Sequence, residues 1–460
     1  MNKREFLALG GAIPLMLAGC GGSGNGSAPV RLVNASVGYP GALGFMDEST
    51  QITSGITYGN ASSYFNIEAG SVHLTLTTTI SGSETSATAA QLRTVKKDQR
   101  YSLVAYGVLD ELRMALVAEL NTTPDAGTAS VNVLNTSADI GPVDVYLSST
   151  KDLAVSTQIA SNVGATSTSP AQSPFATDIQ PGSYYVTVVG AGSIARGVSD
   201  VRFQTPAPIT LAALQVLTVI LTPGVSGVLA NAILLTQGTT GTSASYTNTT
   251  ARVRAVTAVP GHATSVVGAT SSGTVVNVLP SNTTPKVSNY FVVGTGAAPT
   301  VTVDGATVPV VMDSTDTTTG VTTQVTAKLS AGGDYTIMVY LSGSTPVAKL
   351  IEDDNTAPIS AAGVKFRLVN LASDNQGLQL SMYVNGSSIA QNVPYGSASG
   401  YTEVQNVPQS AESTVDINDG ATVLNERKLV IPLGNIFTDF VVSVPASGPA
   451  LTLLQPASGT

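Results

Sequence analysis

Two histidines, one cysteine and a thin scatter of carboxylates are what this 460-residue chain offers to chemistry. His73 and His262 lie far apart, with no Cys, Asp or Glu at ligand spacing around either. A transition metal needs several such groups held together, so a site of that kind is not expected. His73 stands in SVHLTLTTT beside Leu74 and Leu76 and reads as a strand-surface residue. No GxSxG elbow accompanies either histidine, which leaves a Ser/His/Asp hydrolase without its parts, and no GxxxxGK[ST] phosphate loop is present. No catalytic residue is assigned and no cofactor is implied; the chain reads as noncatalytic.

Hard oxygen ligands cluster twice. Glu352, Asp353 and Asp354, followed by Asn355, fall between two repeated segments. Carboxylates so close could bind calcium and stiffen a joint; otherwise they form a solvated linker. Asp313 and Asp316 make a looser pair in a Thr-rich loop, and neither group has the spacing of a full calcium loop. Six tyrosines (Tyr58, Tyr64, Tyr101, Tyr106, Tyr395, Tyr401) would stack on sugar rings if exposed. Tyrosines recurring at equivalent repeat positions read more simply as core or corner residues with one satisfied hydroxyl. A glycan hydrolase would need two carboxylates facing each other at roughly 5 to 9.5 Å, and acids are scarce within each segment.

Cys20 ends the sequence LMLAGC, preceded by Lys3, Arg4 and an apolar run from Phe6 to Gly19. That order is a charged n-region, an apolar h-region and a small-residue cleavage site. The run is shorter than the roughly 20 residues a membrane-spanning helix requires. Leu17-Ala18-Gly19-Cys20 resembles a bacterial lipobox, which implies removal of residues 1–19 and a diacylglycerol on the Cys20 sulfur. The lone cysteine is thereby explained without a disulfide partner. Asn2-Lys3-Arg4-Glu5-Phe6-Leu7 resembles a twin-arginine export signal, with Lys3 where the first arginine would stand. Gly21, where a retention aspartate would otherwise be, implies the outer membrane by analogy with Gram-negative lipoproteins. Residues 20–29 then form a Gly/Ser tether of roughly 15 to 18 Å. Gly19 to Gly24 also spells GxGxxG, but it follows no strand and straddles the cleavage point.

The formal charge is −9, so the chain lacks the basic footprint that nucleic acid demands. Only 11% of residues are charged and 43% are hydrophobic, a balance that suits β-structure and excludes disorder. Alternating runs of Val, Ile, Tyr and Thr are broken by Gly, Pro, Asn and Asp. Asn385-Gly386 and Asp304-Gly305 are hairpin signals. Ile209 to Leu235, the longest apolar stretch after the leader, is interrupted by Thr222-Pro223-Gly224 and reads as two strands, not a membrane helix. A helical turn is conceivable only at Leu109 to Leu120.

The elements recur. VRLVNAS from Val30 returns as VKFRLVNLAS from Val364, and more weakly as VNVLNTS from Val131 and VRAVTA from Val253. Arg31, Asn132, Arg254 and Arg367 become equivalent at intervals of about one domain. Each repeat closes with an alternating strand, such as YSLVAYG from Tyr101 and YTIMVYLSG from Tyr335. Four units follow, at 30–126, 127–240, 250–356 and 362–457. The expected fold is all-β, tandem immunoglobulin-like β-sandwiches without disulfides.

VRLVNAS, PVDVYLS, YGNASSYFNIEAG and YSLVAYG together resemble the bacterial domain of unknown function family 4397. The resemblance is good in units one and four, partial in unit two, and poor in unit three, where Val287 to Val293 replaces the Tyr-Gly segment. It implies a β-sandwich module of exported and surface-anchored proteins, and no activity. The sequence thus points to a lipid-anchored cell-envelope protein with a structural, adhesive or ligand-presenting role, whose partners are the membrane and an envelope polymer or surface protein. A carbohydrate-binding accessory protein is the alternative, and a carboxylate-dependent glycan hydrolase the more remote one. If the units pack end to end, unit four lies farthest from the lipid.

Overall fold

The computed structural model describes residues 26–444 and 452–454, apart from 38, 40, 81–82, 108–110, 167, 194–199, 239–241, 316–319, 361, 406 and 409. Cys20, its leader and Asp316 lie outside the described residues.

The chain is all-β, built from sandwiches whose two sheets bury alternate residues against each other. In unit one the first sheet runs Phe65–Glu68, Ser27–Asn34, Tyr101–Tyr106, Arg113–Ala118. The second is centred on Leu43–Asp47 and Gly70–Ile80. Val30, Leu32 and Leu103 from the first sheet meet Phe45, Leu74 and Leu76 from the second in one core. His73 points the other way, exposed, as strand alternation requires. Three further cores follow along the chain, around Val145 and Val188, Val266 and Ile337, and Met382 and Ile417.

One topological feature repeats in all four. The first strand pairs in parallel with the closing alternating strand: Ser27–Asn34 with Tyr101–Tyr106, Ala129–Asn135 with Val216–Gly224, Thr250–Ala258 with Asp334–Ser342, and Val364–Asn370 with Ile436–Ser443. The register is the same each time, placing Arg31 beside Ser102, Asn132 beside Thr218, Arg254 beside Thr336 and Arg367 beside Thr438.

Several expectations need correction. The first strand starts at Ser27, pairing Ser27 to Pro29 with Asn66 to Glu68, so the end of the expected tether belongs to the sheet. Of the stretch expected to offer a helical turn, Glu111 is in a 3-10 turn, while Arg113–Ala118 forms a strand, because pairing with Tyr101–Tyr106 outweighs local helix propensity. Ile209 to Leu235 holds three strands rather than two, Ile209–Leu211, Val216–Gly224 and Gly227–Thr236, and the last two form a hairpin. No helix among the described residues is long and apolar enough to cross a membrane.

The units do not simply follow one another end to end. In each closing-strand sheet, residues of one parity face the unit's own core and those of the other parity face outward. The outward faces of units one and two pack together: Val33, Ala35 and Val104 meet Leu134, Ile220, Ile233 and Leu235. Units three and four do the same through Val256, Met338 and Tyr340 against Val369, Leu371, Phe440 and Val442. Because the same face is used on both sides, each pair has the self-complementary character of a two-fold dimer interface.

Candidate functional site

The chemistry-bearing residues converge inside these paired faces. Arg254 and Arg367 occupy equivalent positions on units three and four, and both reach Asp353 at the end of the strand Thr345–Asp353. Arg367 Nη1 lies 2.6 Å from Asp353 Oδ1, and Arg254 Nε lies 3.6 Å from Oδ2. Thr336 and Tyr290 also donate to Oδ2, at 2.5 and 2.7 Å. Arg254 donates onward to Thr438 of unit four at 3.2 Å. Asp353 is 2% exposed.

The first pair carries a reduced version. Arg31, fully buried, donates from Nε to Glu119 Oε1 at 2.9 Å and from Nη1 to the Thr236 carbonyl of unit two at 3.1 Å. Ser102 and Tyr64 donate to the same carboxylate, at 2.6 and 2.5 Å. Unit two has Asn132 in place of arginine and Gln237 near the position of Glu119, linked through Thr218 at 2.8 Å on each side. Gln237 in turn accepts from the Leu120 N–H of unit one at 2.9 Å.

The tyrosines complete the joints. Arg31 stacks on Tyr64, Arg254 on Tyr290 and Arg367 on Tyr401, with guanidinium-to-centroid distances of 4.8, 4.7 and 5.0 Å. Burial pushes the Tyr64, Tyr290 and Tyr401 phenols upward, so they stay protonated donors. Tyr58 and Tyr395, from the Tyr-Gly segments, reach across the pair: Tyr58 to the Thr222 hydroxyl at 2.8 Å, Tyr395 to the Leu341 carbonyl at 2.6 Å. Burial raises both, Tyr395 to about 12. Tyr101 accepts from the Lys96 N–H at 3.1 Å, a corner repeated by Tyr335 and Ser330, and Tyr106 is 5% exposed.

A serine pins every unit. Ser62, Ser173, Ser288 and Ser399 each accept at Oγ from the first strand, at Leu32, Val133, Ala255 and Leu368. Each then donates to the carbonyl of the next residue. Unit three therefore keeps the Ser-x-Tyr element as Ser288 to Tyr290, although its Tyr-Gly segment is missing.

The calcium candidates are dispersed. Asp353 is turned into the arginine cluster, Asp354 binds Lys365 at 2.8 Å, and Glu352 lies exposed on the strand. Successive strand residues point to opposite faces, which turns Asp353 away from Glu352, and Asp354 lies past the end of the strand, held by Lys365. The reading of this run as a wholly solvated linker fails for the same reason at Asp353. Asp313 pairs with Lys349 at 2.7 Å. No group of three or more metal-ligating side chains occurs among the described residues.

Sequence reading missed Glu119, Asp334 and the link between His262 and Asp304. Asp334, fully buried, takes Arg252 in a two-pronged pair at 2.9 and 2.6 Å, and its N–H donates to Ser226 of unit two at 3.0 Å. Burial works against the Arg252 charge, but Asp334 more than restores it. His262 Nδ1 lies 2.7 Å from Asp304 Oδ2 at an exposed hairpin, and this bond holds Asp304 below the usual carboxylate range. The partner of Arg31 lies 88 residues away, so spacing could not reveal it.

An open groove of about 630 Å³ lies in unit three, lined by residues such as Val267, Thr270, Ser271, Val293, Thr295 and Pro299. It contains no titratable side chain and no aromatic ring, so it has neither an acid, a base nor a stacking platform.

Residues 28–146 match the model of the family described as Domain of unknown function (DUF4397). The match spans unit one and enters unit two. No curated protein matches the chain. Among solved structures, it is similar to the crystal structure of BcpA, the major pilin subunit of Bacillus cereus, at 10% identity, covering 68% of this chain and 99% of that one, with a TM-score of 0.12. That likeness is too slight to carry an argument.

Proposed function

We propose that the chain is a noncatalytic structural module of the bacterial cell envelope, anchored by lipid on Cys20, that presents loops and sheet edges of a stiff body to an envelope polymer or surface protein. The observation that carries this reading is where the charges go. Asp353, Glu119 and Asp334 each face one or two buried guanidiniums and bonded hydroxyls or amides. A carboxylate held this way is fixed as a charged acceptor away from solvent, and replacing its partners with substrate would mean opening a joint between units.

The six tyrosines singled out by sequence support the same reading, because their rings or hydroxyls are engaged within or between units. Anchoring rests on the leader and Cys20 alone. The test is intact-mass and membrane-fractionation analysis of the native protein beside Cys20→Ala in a Gram-negative host. Loss of residues 1–19, added diacylglycerol mass and sedimentation with outer membranes, all abolished by Cys20→Ala, are expected. Equal behaviour of both proteins in the soluble fraction would sink the anchored reading.

A further inference from the structure

Unit three carries an addition: the hairpin of Val310–Thr315 and Thr322–Thr326. Val310 and Val311 pair in parallel with Ala348 and Lys349, which attaches the hairpin to the sheet of the first strand and makes Thr322–Thr326 the last strand of seven. The hairpin ladder runs from Val311 opposite Thr326 to Thr315 opposite Thr322 with no shift in register. All five residues of Thr322–Thr326 are exposed. In an antiparallel ladder, alternate N–H and C=O groups of such a strand point away from Val310–Thr315, its one neighbour among the described strands.

Free edges of this kind template further pairing, and proteins blunt them with charge, proline, bulges or shortness. The other described edge strands of five residues or more are blunted. Thr422–Leu429 carries Glu426, Arg427 and Lys428, Gln91–Val95 carries Arg93, and Arg113–Ala118 carries Arg113. Thr50–Ile56, Thr157–Val163, Val275–Asn282 and Ser387–Pro394 pair through shifted registers. Thr322–Thr326, reading TTQVT, has no charge, no proline and no bulge.

We propose that Thr322–Thr326 is an interaction edge that pairs antiparallel with the same strand of a second copy of this chain. A two-fold axis at Gln324 sets Thr322 opposite Thr326, Thr323 opposite Val325, and Gln324 opposite its own copy. These are uncharged, mostly β-branched pairs of the kind that stabilise adjacent strands. At a formal charge of −9, two copies repel over most of their surface, and an uncharged edge is where they meet at least cost. The nearby Asp313 is already neutralised by Lys349. Each chain brings one such edge among its described residues, so the contact closes at two copies. An interface of one strand pair is small, and the dimer forms only at high concentration.

The test uses the chain from Gly21 onward, which keeps every described residue, in sedimentation velocity over roughly a hundredfold concentration range. The wild type is expected to shift from monomer towards dimer. Gln324→Lys and Gln324→Glu, at an exposed position, are each expected to stay monomeric with unchanged thermal unfolding, and an equimolar mixture of the two is expected to dimerise again. A wild type that remains monomeric throughout, association beyond two copies, variants that dimerise like the wild type, or a mixture that fails to recover would each overturn the proposal.

Discussion

Arg254 and Arg367 approach one carboxylate from two different units, so Asp353 is the residue at which the pairing of units three and four can be tested most directly. Removing Arg367 takes away the closer of the two guanidiniums and leaves the buried Asp353 charge to Arg254 at 3.6 Å. Arg367→Ala is expected to destabilise the protein by about 3 kcal/mol in urea unfolding. The double change Arg367→Met with Asp353→Leu should not recover that loss, since it leaves the buried Arg254 guanidinium without its carboxylate. A loss under about 1 kcal/mol for the single variant would mean that water reaches the site. The tyrosines give a test in pH. Burial raises Tyr395 from 10.0 to about 12, and Tyr58, Tyr64, Tyr290 and Tyr401 move in the same direction. Between the two values the folded chain holds a proton that the unfolded chain has lost, so stability is full below pH 10.0 and falls as pH rises towards about 12. Tyrosinate absorbance should therefore grow together with unfolding, and Tyr395→Phe should soften the alkaline fall. Early, complete tyrosine ionisation in a still-folded chain would refute it.

At the scale of elements, turns and pins carry the repeat. Asn385 and Gly386 both have positive φ, 49° and 77°, as a two-residue hairpin with inverted turn geometry needs, and Asp304 and Gly305 repeat it. Gly396 sits at φ 72°, and a Cβ there would lie 2.7 Å from the Tyr340 ring across the unit pair, whereas Gly386 faces open space. Gly386→Ala is expected to cost about 1 kcal/mol through backbone strain alone. Gly396→Ala is expected to cost more, and equal losses in denaturant titrations would show that Tyr340 moves aside freely. Replacing a pinning serine leaves a first-strand N–H without its partner. Ser399→Ala is expected to lose about 1 to 3 kcal/mol. The hairpin glycines were visible beforehand, because a turn acts within a few residues of itself; the serine pins were not, because each holds a first-strand N–H 30 to 40 residues away. The strand Arg113–Ala118 was not, because its identity comes from a neighbour and not from its own propensity.

For the whole molecule, the two kinds of junction differ in chemistry. Units one and two, and units three and four, share apolar faces. The contact of Ser226 with Asp334 between units two and three is polar, and so is that of Asp139 with the N–H of Ala357, in the segment that follows unit three. Residues 26–248 and 249–454 are therefore expected to fold as separate soluble bodies, each unfolding in one transition. A fragment ending at 126 should expose Val33 and Val104 and aggregate or lose cooperativity. Calorimetry of the three fragments decides this, and a stable monomeric 26–126 fragment would show that the apolar pairing is dispensable. The seven-stranded sheet adds the other feature of this scale, the free Thr322–Thr326 edge, whose lack of charge is readable in the sequence but whose position at the end of a sheet is not.

Strand periodicity, turn residues and repeated segments determined by themselves that the chain is all-β and built of similar sandwiches, because alternation and turn chemistry are local properties. The equivalence of Arg31, Asn132, Arg254 and Arg367 was also legible there. Only the tertiary structure decided that these residues face a neighbouring unit, that Glu119 and Asp353 answer them, and that adjacent Glu352, Asp353 and Asp354 diverge. The reason is physical: a strand's period assigns a residue to one face or the other, but both faces of the closing-strand sheet are buried here, one against its own sandwich and one against the next. Which apolar face meets which is set by packing between segments a hundred or more residues apart, where spacing along the chain holds no information.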